Sequence, residues 1–355
     1  MNPVCKQKIN ISLFGGIGGE LILKAYTNNS FEKKLQIVLD NLDSNFSFSS
    51  GFSGIFWLIA NINNNVIKYN EDIFLELDDI ILKKSSNLNF FNYDFMHSDL
   101  SIIPYLIERK NSKEILKILN KLLKNTVKFN EFELYEERFS KRHFSNQKIN
   151  LGMAHGIASI LAICNIIYKE NIEKIQSFNI MSNLYDFYNS ILVNKTEKSF
   201  LPNFIIDGQL VDYQKRLAWC YGDLSVLYHL LISSKLIDNK FDKKIILRLK
   251  ELANYTFKDS FIFDAGFCHG THGVAYIFFK IYELTKDPIF KDASNNWIKI
   301  GKEILNKFNN QSYNNVTNIW VNDKSLLTGF TGIKLVEKTI NNQIDSNWDR
   351  CFLLS

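Results

Sequence analysis

Two short motifs carry the residues of this 355-residue chain whose types and spacing suit chemistry. Trp219-Cys220-Tyr221-Gly222 sets a thiol two positions ahead of a glycine. Cys268-His269-Gly270 does the same, with an imidazole in between. Two thiolates and one imidazole form a Cys₂His donor set for zinc. That is one ligand short of the four that close a structural site, so the fourth position stays open for catalysis. A further motif, Leu151-Gly152-Met153-Ala154-His155-Gly156, places a histidine where His269 stands, one residue before its glycine. Since 48 residues separate Cys220 from Cys268, the chemistry exists only if the fold brings equivalent positions together.

An internal repeat supplies that fold. A small residue, two others, a second small residue and then an apolar run recur seven times, at Gly16/Gly19, Gly51/Gly54, Ser98/Ser101, Gly156/Ser159, Gly222/Ser225, Gly270/Gly273 and Gly329/Gly332. Between the apolar runs lie Lys/Glu-bearing stretches such as Ser112 to Lys124 and Lys240 to Thr256. The alternation predicts one buried and one surface helix per repeat. Small residues at i and i+3 share a helix face and are expected to let neighbouring backbones approach. Only 4 prolines interrupt the chain, and two-residue strand alternation is scarce, so the expected class is all-α.

Helical repeats either stack openly or close into a ring. An open solenoid keeps a steady period and polar caps. Here the spacing runs from 35 to 66 residues, and the first and last motifs keep their glycines and apolar runs. The expectation is a closed α,α-toroid with seven apolar helices inside. Equivalent positions then converge on one mouth of the ring. Two before each leading small residue stand Phe14, Ser49, Met96, Ala154, Cys220, Cys268 and Leu327; one before stand Gly15, Ser50, His97, His155, Tyr221, His269 and Thr328. Cys220, Cys268 and His269 become neighbours there, with helix N-termini favouring the thiolate. Ordinary packing of buried cysteines is the competing reading.

The totals exclude other classes. With 46% hydrophobic and 22% charged residues the chain is globular. A net charge of +5 is far from a nucleic-acid-binding signature. Length alone suggests two domains, whereas the repeat predicts one, spanning residues 1–355. Met1 to Gly16 has no secretory pattern, and 5 cysteines is an odd number, so reduced thiols and a cytoplasmic location are expected. Leu151 to Tyr168 is uncharged but holds Gly152, His155, Ser159 and Asn165, which predicts a buried helix and no membrane span. Cys5, Cys164 and Cys351 fall outside the site. His97 reads as a buried, hydrogen-bonded histidine, and His272 as facing the cavity or packing between helices. Lys128 to Phe144 mixes charge with aromatics and reads as an outer insertion, either solvated or in contact with a leader peptide.

The three motifs resemble the signatures of lanthionine synthetase C-like proteins, the cyclases of lanthipeptide biosynthesis. Leu327-Thr328-Gly329-Phe330-Thr331-Gly332 and Trp348-Asp349-Arg350-Cys351 resemble that family's C-terminal motifs. The resemblance runs from Gly15 to the end. It implies an α,α-toroid of seven inner and seven outer helices holding one Zn²⁺ per chain on Cys220, Cys268 and His269. It also implies His155 as the acid/base residue, with Asp94, Arg216 and Tyr221 beside it. Asp94 reads equally as a helix cap, and Arg216 as a partner of Asp212. The implied reaction is addition of a cysteine thiol of a dehydrated, leader-bearing precursor peptide to dehydroalanine or dehydrobutyrine. The implied partners are a separate dehydratase and a transporter. Two other readings fit the same residues: an enzyme adding glutathione or another thiol to dehydroamino acids in proteins, and a non-catalytic thiol-binding scaffold.

Overall fold

Each apolar run becomes a helix just after its small residue. In the computed structural model these inner helices are α1 (Ile17–Tyr26), α3 (Phe52–Asn65), α5 (Ile103–Glu108), α7 (Ile157–Lys169), α9 (Asp223–Asp238), α11 (Thr271–Thr285) and α13 (Phe330–Ile340). The structure describes residues 9–42, 44–87, 93–137, 148–192, 199–213, 216–314 and 316–355. Every inner helix packs on the next, and α13 packs back on α1, so the ring closes. Their burial shows why apolar residues fill all sides: α7 exposes neither face and buries everything from Ile157 to Ile167.

The amphipathic stretches form the outer layer: α2 (Glu32–Asp40), α4 (Asp72–Ser86), α6 (Ser112–Leu123), α8 (Lys174–Ile191), α10 (Lys243–Ala253) and α12 (Pro288–Lys307). α10 buries only the stripe of Ile245, Leu249 and Leu252. Side chains of Asn111, Glu173, Asp242 and Asp287 accept N–H bonds at the starts of α6, α8, α10 and α12, which satisfies donors that a helix start leaves unpaired.

The toroid expected from the repeat is what the chain forms, and its seventh repeat differs in one detail. After α13 the chain turns inward as a 3₁₀ segment, Asn347–Phe352, with Trp348, Asp349, Cys351 and Phe352 buried. Its apolar side chains are buried, and its charged ones, Asp349 and Arg350, find partners inside the ring. This segment touches all seven repeats. The Phe352 ring stacks on Phe14 and Phe267 and meets Trp219 edge-on. Trp219 Nε1 donates to the Phe352 carbonyl at 2.9 Å, and Tyr228 Oη to that of Leu354 at 2.6 Å. Tyr276 Oη donates to Asp349 at 2.7 Å, Trp348 Nε1 to Thr339 at 2.8 Å, and Asn61 Nδ2 to the Asn347 carbonyl at 3.1 Å. Arg350 reaches Glu108 of α5, and also Glu170 just beyond α7. Only a segment on the ring axis meets all of these, so the C-terminal stretch plugs the centre.

Seven three-residue strands among the described residues were not expected: β1 (Val127–Phe129), β2 (Phe132–Leu134), β3 (Lys148–Asn150), β4 (Phe204–Ile206), β5 (Gln209–Val211), β6 (Ser312–Asn314) and β7 (Ile319–Val321). They form antiparallel pairs β1–β2 and β6–β7 and a sheet ordered β3-β4-β5. Asp207 and Gly208 join β4 to β5 with φ of 49° and 74°, the two-residue turn that an Asp-Gly pair favours. In the aromatic stretch beginning at Lys128, Phe129 and Phe132 pack on Phe187 of α8, and Tyr135 is buried. Phe129 and Phe132 are half-buried by that packing; residues 138–144 lie outside the described residues, as does Cys5. Among the described residues no helix is long and apolar enough to cross a membrane.

Candidate metal centre and its surroundings

A belt of backbone hydrogen bonds links the positions two before each leading small residue. The amide of Phe14 donates to Ser49 O, Ser49 to Met96 O, Ala154 to Cys220 O, Cys220 to Cys268 O, Cys268 to Leu327 O and Leu327 to Phe14 O, at 2.8 to 3.4 Å. Equivalent residues of successive repeats are thereby fixed side by side, and this is how residues 220 and 268 meet. Between the third and fourth repeats the pattern changes: the Met96 amide donates to Asp94 Oδ1 at 2.7 Å.

Five of the belt loops are shaped by a second recurring position, six before the leading small residue. Asn10, Asn45, Asn150, Asp264 and Asp323 stand there, and each side-chain Oδ1 accepts the N–H two residues on, the Asx turn that favours these residue types. In the fifth repeat the position is Arg216. The small residue at i+3 proves to be needed mainly against the repeat's own incoming loop: a Cβ at Gly273 would lie 1.8 Å from Phe267 O, and one at Gly54 2.0 Å from Phe48 O.

On this belt the donor atoms of Cys220, Cys268 and His269 all lie within 4.8 Å of one another. Both cysteines are 8% exposed and the histidine is half-buried at the rim. The Cys220 thiol is held well below the usual cysteine range, chiefly by its hydrogen bond with Cys268 and then by His269 and the Arg216 charge, against burial. A thiolate flanked by a thiol and an imidazole is the donor chemistry zinc takes, so the residues fit that metal. Asp264, four before Cys268, is 1% exposed, and its Oδ2 lies 3.9 Å from His269 Nε2. That oxygen has no hydrogen-bond partner among the described residues. A buried carboxylate behind a ligand histidine is the usual outer support of a zinc site. Sequence reasoning missed Asp264, although its place in the Asx position was readable.

Beside the cluster, His155 Nδ1 and Asp94 Oδ2 are 2.9 Å apart. Burial alone would lower the His155 pKa; the hydrogen bond and charge of Asp94 outweigh it, with Cys220 and Glu137 adding to the rise. Asp94 Oδ1 meanwhile accepts from the Met96 and His97 amides, so it shapes a turn and holds the histidine at once. The Tyr221 hydroxyl accepts from Asn150 Nδ2 at 2.7 Å, and its ring is 6.3 Å from that of His155. Burial pushes the Tyr221 pKa up to about 12, which keeps its proton available for donation. Arg216 has a buried Nε without a hydrogen-bond partner among the described residues. It forms no ion pair with Asp212, whose carboxylate takes the Asn203 amide at 3.1 Å.

His97 is hydrogen-bonded as expected, to Ser49 Oγ at 2.9 Å, but it is exposed rather than buried and stacks on His155. His97, Asp94 and His155 also bring ligand-type atoms within 4.8 Å of one another. His272 is fully buried, with Nδ1 against the Ala265 carbonyl at 2.7 Å and Nε2 3.8 Å from Glu337; it packs between helices, away from the cluster. Cys164 and Cys351 are buried in the core, and burial pushes both thiols up.

The fold and site define a closed α,α-toroid with a two-cysteine, one-histidine cluster at the N-terminal mouth of its inner helices. The sequence model of the lanthionine synthetase C-like protein family matches residues 10–353, and the chain belongs to that family. Its structure is similar to that of nisin cyclase, with a TM-score of 0.73 and 20% identity, over 98% of this chain and 93% of the other. At that identity the likeness speaks for the fold. No curated protein matches the chain by sequence.

Proposed function

We propose that this protein is a zinc-dependent lanthipeptide cyclase, a single domain over residues 1–355 acting in the cytoplasm. The observation that carries the reading is the convergence of Cys220, Cys268 and His269 donor atoms within 4.8 Å, next to the His155–Asp94 pair. One Zn²⁺ per chain on those three residues would supply an open position where a substrate thiol is held and made acidic. The substrate is a precursor peptide with its leader, dehydrated by a separate dehydratase and passed on to a transporter.

The chain's own residues account for the rest of the reaction. The thiol gives up its proton to solvent, and the thiolate adds to the β-carbon of dehydroalanine or dehydrobutyrine, forming the C–S bond and moving the alkene electrons into an enolate. His155, kept protonated by Asp94, gives its proton to the α-carbon and completes the thioether. Tyr221 keeps its hydroxyl proton because burial raises its pKa, and it donates to the enolate oxygen. The Arg216 guanidinium supplies positive charge on the same side. The test is cyclisation of a dehydrated peptide, followed by loss of free thiol. His155→Ala should keep its zinc and lose most of the rate; an unchanged rate removes His155 from proton donation.

A further inference from the structure

On the belt repeats next to the cysteine cluster stands a second set of ligand-type side chains. Asp94, His97 and His155 each bring one donor atom to within 4.8 Å of the others. Two imidazoles and one carboxylate suit zinc and its first-row neighbours, and without thiolates this set is the weaker zinc ligand of the two. The proposed cyclisation uses Asp94 and His155 as a proton-donating pair and leaves His97 without a role.

Three features separate this set from a chance meeting of polar side chains. The first is spacing. His155 Nδ1 and Asp94 Oδ2 are 2.9 Å apart, the gap between two ligands at a right angle on a metal with bonds of about 2.1 Å. The second is support behind the donors. Asp94 Oδ1 accepts from the Met96 and His97 amides, which fixes the carboxylate with Oδ2 at His155. His97 Nδ1 meets Ser49 Oγ at 2.9 Å; a polar group behind one ring nitrogen is the outer support of ligand histidines, and it leaves Nε2 for an ion. The third is access. His97 is exposed, so an ion reaches the set from solvent, and its ring, 5.3 Å from that of His155, needs only to tilt to aim at the same point.

From these donors and the groups that hold them, we propose that Asp94, His97 and His155 form a second, inhibitory site for a divalent transition metal, filled by Zn²⁺ in excess. An ion on His155 Nδ1 replaces the proton there, which passes to solvent, so the ring cannot become the imidazolium that gives a proton away. This inhibition rests on the proposed role of His155; the binding does not. Because thiolates hold zinc more tightly, the protein as purified carries the cysteine-bound ion alone.

The test titrates Zn²⁺ into the zinc-loaded full chain, with equilibrium dialysis and metal analysis for binding and cyclisation measured on the same samples. The expected result is a second, weaker equivalent of zinc whose saturation tracks a fall of roughly 10²-fold in cyclisation rate. His97→Ala should keep the first zinc, cyclise at the wild-type rate, take up no second ion and so resist excess zinc. Ser49→Ala, which removes the hydroxyl behind His97, should weaken the second site roughly tenfold. Mg²⁺, which prefers oxygen ligands, should leave the site empty at the same concentration. Absence of a saturable second equivalent in the wild type overturns the proposal. So does unchanged second-site affinity in His97→Ala, Mg²⁺ competing as an equal, or a second zinc that leaves the rate untouched. Zinc bound there in a protein that cyclises no peptide would support the site and remove the cyclase reading instead.

Discussion

Asp94 divides its carboxylate between backbone and chemistry: Oδ1 accepts from the Met96 and His97 amides, while Oδ2 lies 2.9 Å from His155 Nδ1. The pair stands where the backbone belt changes its pattern, so a side chain does there what a carbonyl does elsewhere on the ring. This orients His155 and raises its pKa. A proton donor works below its pKa and fails as pH rises through it. Asp94→Asn keeps the turn acceptor but removes the charge, which lowers the pKa. The alkaline limb of kcat/KM is therefore expected to move to lower pH, by about one unit for a change of roughly 1.4 kcal/mol. A pH profile of both proteins checks this; a limb that stays in place separates Asp94 from proton donation.

Arg216 occupies a position where the described equivalent residues are Asn or Asp, and its charge bears on Cys220, Cys268 and His269. Arg216→Ala is expected to keep its zinc while losing roughly 10²-fold in kcat, the scale of one electrostatic stabiliser. Single-turnover cyclisation with parallel metal analysis measures both. Loss of metal together with rate would make the residue part of the site's framework instead.

Gly222 starts α9 with φ of +122°, and a Cβ there would lie 1.9 Å from the Arg216 carbonyl oxygen. Gly222→Ala should cost about 1–3 kcal/mol from backbone conformation alone, with the clash added. It should also loosen Cys220, two residues before. Thermal unfolding together with zinc titration would show both effects, and wild-type stability would refute the strain argument.

Phe352 is 0% exposed on the ring axis, in contact with Phe14, Trp219 and Phe267. Phe352→Ala is expected to cost about 3–5 kcal/mol, the range for emptying a buried aromatic site. Denaturant unfolding measures it. A loss below 1 kcal/mol would mean that the C-terminal plug contributes little to closure.

The ring was legible because small-residue pairs and apolar runs mark every inner helix, and the slot before each pair points to Cys220, Cys268 and His269 without any homologue. Repeat spacing carries no information about which side-chain atoms meet, so the pairing of His155 with Asp94 rested on resemblance. Asp264 was overlooked because an acid in a turn looks structural; its role depends on a burial that only the fold creates. The axial plug was hidden for a similar reason. Trp348-Asp349-Arg350-Cys351 was legible as a motif without a place in the fold, because the contacts of this segment reach across the whole chain, back to Phe14. The short hairpins escaped because three residues are too few for strand alternation to register, although Asp207-Gly208 was a turn signal.

The zinc content of the purified protein tests the central claim most directly, measured for the wild type, Cys220→Ala and Asp264→Asn. The account predicts about one zinc per chain in the wild type and loss of the metal, together with cyclisation, in Cys220→Ala. In Asp264→Asn it predicts affinity lowered roughly 10–100-fold. Full zinc retained after Cys220→Ala, or a wild-type protein that binds no zinc, would contradict it.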